Sequence, residues 1–272
     1  MPGRLGLALT TLAATLAVAA GATVPVPATA VPVARTASVE RAVAAQAAAP
    51  YLERIVSIGK SVRGRPIHAH YRGAKDPEHV LVVIGQMHGE EDAGRSTAGW
   101  IRRNARPLPG TGVWTILTMN PDGDARNRRV NAHGVDLNRN WPTSGWTRAG
   151  RGTRYWGGPR RASEPETRAM MDFLTTVRPD YIVSIHQPLN GIGRNNIDVA
   201  WEKRLSANLR LPRRYFGVGN PSGTVSPTMT GWYNDRRGHF GVATTVEYAA
   251  RTSSTYRNSF AGRGILRAAR IS

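Results

Sequence analysis

The sequence predicts an α/β fold: a single domain with a mixed, mostly parallel twisted sheet and helices on both faces. From residue 79 onward, short apolar runs alternate with segments that can form helices. Strands that alternate with helices along a chain favour a sheet covered on both faces, whose strands are near-continuous apolar runs. Chemically reactive residue types follow several of these runs, and α/β proteins bind ligands at the carboxyl ends of parallel strands. Together these observations point to a site at one edge of the sheet.

The predicted strands are apolar runs rich in β-branched residues. The first ends at Gly85, and the second stops at the turn sequence Asn120-Pro121-Asp122-Gly123. Four such runs are present, at 79–84, 113–119, 181–185 and 242–248. Their lengths are typical of buried strands.

Two segments between these runs predict helices. Residues 89–104 can form one helix directly after the first strand. The sequence Ser163-Glu164-Pro165-Glu166 predicts a capping box with Pro in the first turn, which begins a helix that continues to about Val177. Pro179 then ends that helix.

The N-terminus predicts an export signal. Arg4 supplies a short basic region, residues 5–20 are almost entirely apolar and small, and A-x-A cleavage motifs end at Ala22 and Ala30. An uncleaved membrane anchor is the alternative, but the apolar run is shorter than about 20 residues and no basic stop-transfer block follows it. We therefore expect residues 1–30 to be a signal peptide, with no stable membrane anchor after cleavage. The mature protein is expected to be secreted or extracellular, with or without attachment to the cell wall.

Residues 31–50 predict a tether, because they are rich in Ala and Val, lack aromatic residues and end in Pro50. A small helix is the alternative for this stretch. Residues 51–272 then form the predicted single domain, which is long enough to bury a substantial core.

Composition excludes some chemistries and leaves others open. The absence of Cys excludes disulfides, thiolate metal sites and a Cys nucleophile.

The net charge is +19, and 34 of the 37 basic residues are Arg, since only Lys60, Lys75 and Lys203 are Lys. Such a surface attracts polyanions, including nucleic acid and anionic cell-wall polymers. Because no Arg cluster is interleaved with stacking aromatic residues, we favour compositional bias and expect no nucleic-acid partner. Weak association with wall polymers stays open.

The candidate metal ligands begin with an H-x-x-E motif. If a helix starts at His88, then His88 and Glu91 share a face and can bind one ion. A catalytic zinc site needs a third ligand, and His186 at the end of a predicted strand is the candidate. A surface His–Glu pair is the alternative, and Glu90 is a rival ligand whose i+2 spacing points away from His88. The remaining histidines are expected to be structural or on the surface: His68, His70, His79, His133 and His239.

Seven short motifs, taken in order, make the chain resemble the zinc carboxypeptidase family of the carboxypeptidase A type. They cover about residues 55–250. The motifs are Gly59-Lys60-Ser61-Val62-Arg63-Gly64-Arg65-Pro66-Ile67, His88-Gly89-Glu90-Glu91, Asn120-Pro121-Asp122-Gly123, Gly134-Val135-Asp136-Leu137-Asn138-Arg139-Asn140, Ser163-Glu164-Pro165-Glu166-Thr167, Ser184-Ile185-His186 and Thr245-Val246-Glu247.

Within the family, the chain is similar to the murein peptide amidase subgroup. This likeness rests on His186-Gln187-Pro188-Leu189, on the Ser-Glu-Pro-Glu-Thr segment and on Gly231-Trp232. Two features depart from the family. The subgroup likeness implies a cytoplasmic amidase, whereas the N-terminus of this chain predicts export. The segment 221–230 also contains no Tyr to match the mobile Tyr of pancreatic members, and Tyr233 is not aligned with it.

The resemblance implies that His88, Glu91 and His186 hold one Zn²⁺ per chain. It implies that Glu247 is the general base, which takes a proton from water and delivers it to the leaving amine. Without the resemblance, a salt bridge from Glu247 to an Arg would be the preferred interpretation. Asp136 is expected to accept the second N–H of the first His ligand and so to fix its tautomer.

The resemblance also implies how the substrate is held. Arg129 matches the residue that stabilises the oxyanion, while its neighbours Arg126 and Arg128 fit the spacing less well. Asn138 and Arg139 match the pair that clamps a terminal carboxylate, for which the planar guanidinium of Arg is suited. Gln187 and Trp232 are candidates for the side-chain pocket, although a core position is the preferred interpretation for Trp232.

Three functions follow as hypotheses. The first is a secreted zinc metallo-exopeptidase that hydrolyses an amide next to a free carboxylate, with the γ-D-glutamyl–diaminopimelate bond of cell-wall peptides as the expected target. The second is a general metallocarboxypeptidase that removes C-terminal residues from ordinary peptides. The third is a non-catalytic protein that binds the wall through its Arg surface. The substrate is accordingly expected to be a peptide or a muropeptide.

Overall fold

A computed structural model of the protein describes residues 51–216, 224–235 and 241–272. The predicted signal peptide (1–30), the predicted tether (31–50) and His239 lie outside the described residues. Within the described ranges, none of the helices combines the length and apolar character needed to cross a membrane.

Eight strands make up the sheet of the described chain. The strands are β1 (Leu52–Lys60), β2 (Pro66–Gly73), β3 (His79–Ile84), β4 (Thr111–Ile116), β5 (Tyr181–His186), β6 (Leu189–Gly193), β7 (Arg213–Arg214) and β8 (Val242–Ala249). The helices are α1 (Ala93–Asn104), α2 (Pro121–Asp124), α3 (Pro165–Val177), α4 (Val199–Leu209), α5 (Met229–Asp235) and α6 (Ala261–Ala268). A single 3₁₀ turn spans Leu137–Arg139, and a π-helical turn spans Tyr256–Phe260.

The strands form one mixed sheet in the order β1-β2-β4-β3-β5-β8-β6-β7. Its centre is parallel, because β3 pairs in parallel with both β4 and β5, and β5 pairs in parallel with β8. The pairs β1–β2, β2–β4 and β6–β8 are antiparallel, while β6–β7 is parallel. The predicted fold class, a mixed and mostly parallel sheet between helices, is confirmed.

The central strands are apolar throughout because both of their faces are buried. In β3, Leu81 and Val83 pack into a cluster with residues of α1, α4 and α6, whereas Val82 and Ile84 pack on the other face with residues of α3 and α5. Successive side chains of a strand point to opposite faces, so a strand between two helical layers needs an apolar residue at every position. Each fully buried aliphatic side chain contributes about 1.5–3 kcal/mol of hydrophobic free energy.

The helix after β3 begins later than predicted. Helix α1 starts at Ala93, not at Gly89, and the preceding residues form a turn in which the Glu91 N–H donates to the His88 carbonyl at 3.0 Å. The cause is a close tertiary approach. A Cβ at Gly89 would lie 2.0 Å from the Gly123 backbone, so this segment is fitted against α2.

The predicted capping box is wrong, although the predicted helix is present. The N-cap of α3 is Glu164, and Ser163 Oγ donates to Glu164 Oε1 at 2.6 Å instead of capping the helix. Glu166 is buried and accepts a hydrogen bond from the Val62 N–H at 3.1 Å. The Ser163 hydroxyl is therefore engaged by its neighbour Glu164, and the Glu166 side chain by a tertiary hydrogen bond. The helix ends at Val177, as expected, with Arg178 in the left-handed region.

Candidate active site

At the carboxyl edge of the sheet, His88 and Glu91 meet His186, which lies 98 residues after His88 in the sequence. His88 follows β3, His186 ends β5, and these two strands are parallel neighbours. Glu91 Oε1 lies 2.8 Å from His88 Nδ1, and Glu91 Oε2 lies 3.0 Å from His186 Nδ1. The two Nδ1 atoms are 3.3 Å apart. All three residues are buried, and their donor atoms lie within 4.8 Å of one another.

This donor set fits a zinc ion. Two imidazole nitrogens and one carboxylate form the His₂Glu set of open catalytic zinc sites. Burial alone would raise the pKa of Glu91, but hydrogen bonds to His186 and His88 hold it well below the ordinary value, so the carboxylate is ionised as a metal ligand must be. Among the described residues, this is the one group of three such side chains close enough to share an ion. Glu90 is not part of it, because its Oε1 accepts a hydrogen bond from Arg154 at 2.8 Å.

The two histidines are oriented by partners behind them. His88 Nε2 lies 3.1 Å from Asp136 Oδ1, the contact that the sequence predicts. Asp136 is fully buried. Burial opposes its ionisation, but the His88 hydrogen bond and the charges of Arg129 and Arg139 hold its pKa below the ordinary value. His186 Nε2 lies 3.0 Å from Ser184 Oγ. These contacts leave both Nδ1 atoms facing the metal position.

The contact of Ser184 with His186 is not among the predicted roles. The sequence does indicate this contact. Positions i and i+2 of a strand share a face, and Ser184 precedes His186 by two residues.

Arg129 lies beside the metal donors. Its Nε and Nη2 donate to Asp136 Oδ2 at 3.0 and 2.9 Å, which fixes the plane of the guanidinium. Its Nη1 lies 3.1 Å from His88 Nδ1 and 3.4 Å from Glu91 Oε1. Arg126 and Arg128 are exposed and do not line the cleft. Of the three neighbouring arginines, Arg129 is therefore the one that the fold brings to the site.

Asn138 and Arg139 reach the cleft from the 3₁₀ turn. Asp136 Oδ1 accepts from the Asn138 N–H at 2.9 Å and so caps this turn. Asn138 Oδ1 accepts from the Met229 N–H at 3.1 Å, and Arg139 Nη1 donates to the Asn138 carbonyl at 2.8 Å. The pair is thus held between the metal site and α5, with a guanidinium facing the cleft.

Glu247 lies on β8 in register with His186 of the neighbouring strand β5. Its side chain is 8% exposed, and Oε2 accepts from the Leu189 N–H at 3.2 Å. Burial raises the pKa of Glu247 above the ordinary value for a Glu, which suits a group that must take and release a proton. No ion pair joins Glu247 to an Arg of the described chain, so the salt-bridge interpretation finds no support there.

A cleft of about 690 Å³ connects these groups. Tyr155 lies on its wall, a position that no sequence motif predicts. Its ring is 56% exposed, and the ring centroid lies 5.3 Å from Cζ of Arg129, 5.7 Å from Cζ of Arg139 and 5.6 Å from Cζ of Arg154. The next residue, Trp156, fixes this segment, since its carbonyl accepts from the Asp136 N–H at 2.9 Å. This contact spans 20 residues, and no local pattern in the sequence indicates it.

The remaining sequence candidates take different positions. Trp232 is buried in the core, 5.1 Å from Trp141 between ring centroids. Tyr233 is buried as well, and its hydroxyl donates to the Pro179 carbonyl at 2.7 Å, so it does not reach the cleft. Gln187 lines the cleft, but its side chain accepts from the Ala93 N–H at 3.1 Å and donates to the Ala249 carbonyl at 3.2 Å.

Comparison with known sequences gives one family and several named relatives. The family described as zinc carboxypeptidase matches residues 40–190. Murein peptide amidase A of Vibrio campbellii is 34% identical over 154 residues, which are 52% of this chain and 60% of that protein. The Escherichia coli K12 protein of the same name is 32% identical over 143 residues, 48% of this chain and 58% of that protein. The chain thus spans about three fifths of the length of these relatives.

Comparison with solved structures gives the same fold. A murein-tripeptide amidase from Escherichia coli O157 superposes with a TM-score of 0.63 at 23% identity, covering 81% of this chain and 94% of that one. Carboxypeptidase A from Helicoverpa armigera superposes with a TM-score of 0.64 at 17% identity, covering 80% and 68% of the two chains. Because the family match ends at residue 190, the placement of Glu247 rests on the geometry described above.

Proposed function

We propose a function from one premise: the chain belongs to the zinc carboxypeptidase family. The protein is a zinc-dependent metallo-exopeptidase that hydrolyses an amide bond next to a free carboxylate. The observation that carries this proposal is a single cleft that contains His88, Glu91 and His186 together with the guanidinium of Arg139. One end of the cleft can bind a metal, and a group suited to a terminal carboxylate lies beside it.

Each of the site residues has a role in the proposed hydrolysis. Zinc held by His88, Glu91 and His186 would supply a Lewis acid and lower the pKa of a water molecule to about 7. Glu247 takes the proton of the attacking water and passes it to the leaving amine. Arg129 donates hydrogen bonds to the substrate oxygen that gains negative charge. Arg139, with Asn138 beside it, binds the terminal carboxylate and sets which bond lies over Glu247.

The proposed substrate is the γ-D-glutamyl–diaminopimelate bond of cell-wall peptides. Two lines of support favour it: the named relatives are murein peptide amidases, and the N-terminal sequence predicts export to where wall peptides are found. We propose accordingly that residues 1–30 are a cleaved signal peptide and that the mature protein is secreted. The positive charge should give weak association with anionic wall polymers, which added salt reverses.

A second candidate, a carboxypeptidase on ordinary peptides, has its own support. The carboxypeptidase N catalytic chain of Rattus norvegicus is 27% identical over 228 residues, 70% of this chain and 48% of that one. The test is mass spectrometry of products from L-Ala-γ-D-Glu-diaminopimelate and, in parallel, from ordinary L-peptides. Release of diaminopimelate is the expected result. Cleavage of the L-peptides alone would support the general carboxypeptidase function. Cleavage of neither substrate would favour the non-catalytic binding protein.

A further inference from the structure

The floor of the cleft continues well past Glu247. Alternate residues of β8 lie on one face of the sheet, and three of them line the cleft: Glu247, Thr245 and Ala243. On the adjacent strand β6, Gly193 also lines the cleft and adds no side chain. From Ala243 to Glu247 the strand rises about 13 Å. The floor between Ala243 and the general base therefore has about this length, and small side chains line it.

Two segments close the far end of this floor. Asn195 Nδ2 donates to the Ala243 carbonyl at 3.1 Å, and Asn234 Nδ2 donates to the same carbonyl at 2.9 Å. The shared acceptor brings the end of β6 and the end of α5 together. The residues adjacent to these asparagines, Arg194 and Asp235, also line the cleft.

Arg194 and Asp235 are a guanidinium and a carboxylate at one end of a binding cleft. Both are exposed, and neither makes a side-chain hydrogen bond or an ion pair with another residue of the described ranges. Most of the acidic side chains deeper in the site, by contrast, have fixed partners, such as Asp136 with Arg129. Two opposite charges that are not paired with each other can bind a ligand that carries both signs.

We propose that Arg194 and Asp235 form a subsite for a zwitterionic end of the leaving residue, an ammonium and a carboxylate on one carbon atom. The inference rests on the proposed function, because it assigns the α-carboxylate of the same residue to Arg139. The leaving residue then carries two carboxylates and a free distal amine. A diamino dicarboxylic acid has this chemistry, with a short methylene chain that crosses the floor of small side chains.

Residues with only one distal charge fit this subsite less well. Lysine offers an ammonium to Asp235 and leaves Arg194 without a carboxylate. An acidic side chain of similar length, as in 2-aminopimelate, offers a carboxylate to Arg194 and leaves Asp235 without an ammonium. Since a site built for a polar group discriminates against the analogue that lacks it, both should bind more weakly than diaminopimelate.

The test is calorimetric binding of free meso-diaminopimelate, lysine and 2-aminopimelate to the zinc-loaded full chain. We expect the wild type to bind diaminopimelate about tenfold more tightly than either analogue. Arg194→Ala should remove the preference over lysine, and Asp235→Asn should remove the preference over 2-aminopimelate. Arg267→Ala and Asp172→Asn are matched controls on exposed helical positions outside the cleft, and should keep both preferences.

Equal binding of the three compounds by the wild type would overturn the subsite, as would variants that weaken all three equally. Turnover of tripeptides that end in each compound separates the subsite from the proposed function. If the binding pattern holds while no tripeptide is cleaved, the subsite stands and the proposed wall-peptide activity is wrong. If all three tripeptides are cleaved at similar rates, the activity stands and the subsite is wrong.

Discussion

The two ends of the cleft are built in opposite ways. At the metal end, His88, His186 and Asp136 are buried, and their polar atoms contact partners that fix their orientation. At the far end, Arg194 and Asp235 are exposed and make no side-chain hydrogen bond within the described part of the chain. Catalytic groups must be held in place before the substrate arrives, whereas a recognition site can keep unpaired charges that pair with charges of the substrate. Changes at the metal end should therefore affect turnover, and changes farther along the cleft should affect substrate choice.

Removal of the metal should have the largest effect. Chelation with EDTA is expected to abolish hydrolysis and lower the melting temperature, because a bound ion stabilises the folded state that holds it. Added zinc should restore both, as measured by activity assay and calorimetry. The Glu90→Gln variant is the control and should respond as the wild type does, since Glu90 contacts Arg154 and not the metal position. Full activity of a demonstrably zinc-free protein would contradict the assignment.

The Glu247→Gln substitution separates binding from chemistry at the same end of the cleft. It keeps the shape of the side chain and removes the proton acceptor, so turnover should fall about 100-fold or more. Zinc content should stay unchanged, because Glu247 is not among the three donor residues. Steady-state kinetics and elemental analysis of one preparation check both statements. Near-normal kcat would place the base elsewhere.

The carboxylate clamp, Asn138 and Arg139, lies in the same cleft, and its loss should mainly raise KM. We expect Arg139→Ala to raise KM by about tenfold or more, and Arg139→Lys to restore only part of the loss, because an ammonium lacks the planar fork of a guanidinium. A substrate whose terminal carboxyl is blocked as an amide should show a similar penalty with the wild type. Equal cleavage of free and amidated substrates would exclude the clamp role of Asn138 and Arg139.

Tyr155 should give the smallest of these effects. Its ring lies near the guanidinium groups of Arg129 and Arg139, and an exposed cation–π contact contributes about 0.5–1 kcal/mol. Tyr155→Ala is therefore expected to lower kcat/KM by about twofold to fivefold, and Tyr155→Phe to keep it, since the ring remains. Steady-state kinetics of both variants check this. If Tyr155→Phe lowered kcat/KM as much as Tyr155→Ala does, the hydroxyl group and not the ring would carry the effect.

The sequence predicted the buried centre of the molecule better than its loops. The apolar runs at 79–84 and 181–185 are recognisable because both faces of β3 and β5 are covered. The residues of the H-x-x-E motif meet His186 as expected, but on a turn and not on a helix, since the fit of Gly89 against Gly123 is a tertiary contact.

The cleft wall could not be predicted for the same reason. Tyr155 is placed by a hydrogen bond between Trp156 and Asp136, and the far end of the cleft is closed by two asparagines that share the Ala243 carbonyl. These contacts join segments that carry no periodic pattern. Local sequence therefore indicates which residues perform chemistry, while long-range packing decides what surrounds them.

The proposed activity depends on a catalytic zinc ion held by His88, Glu91 and His186 at one end of this cleft. Elemental analysis of the purified wild type and of His186→Ala, with activity measured on the same samples, tests it most directly. We expect one zinc per chain in the wild type, and loss of both metal and activity in the variant. Full zinc occupancy in His186→Ala would contradict it.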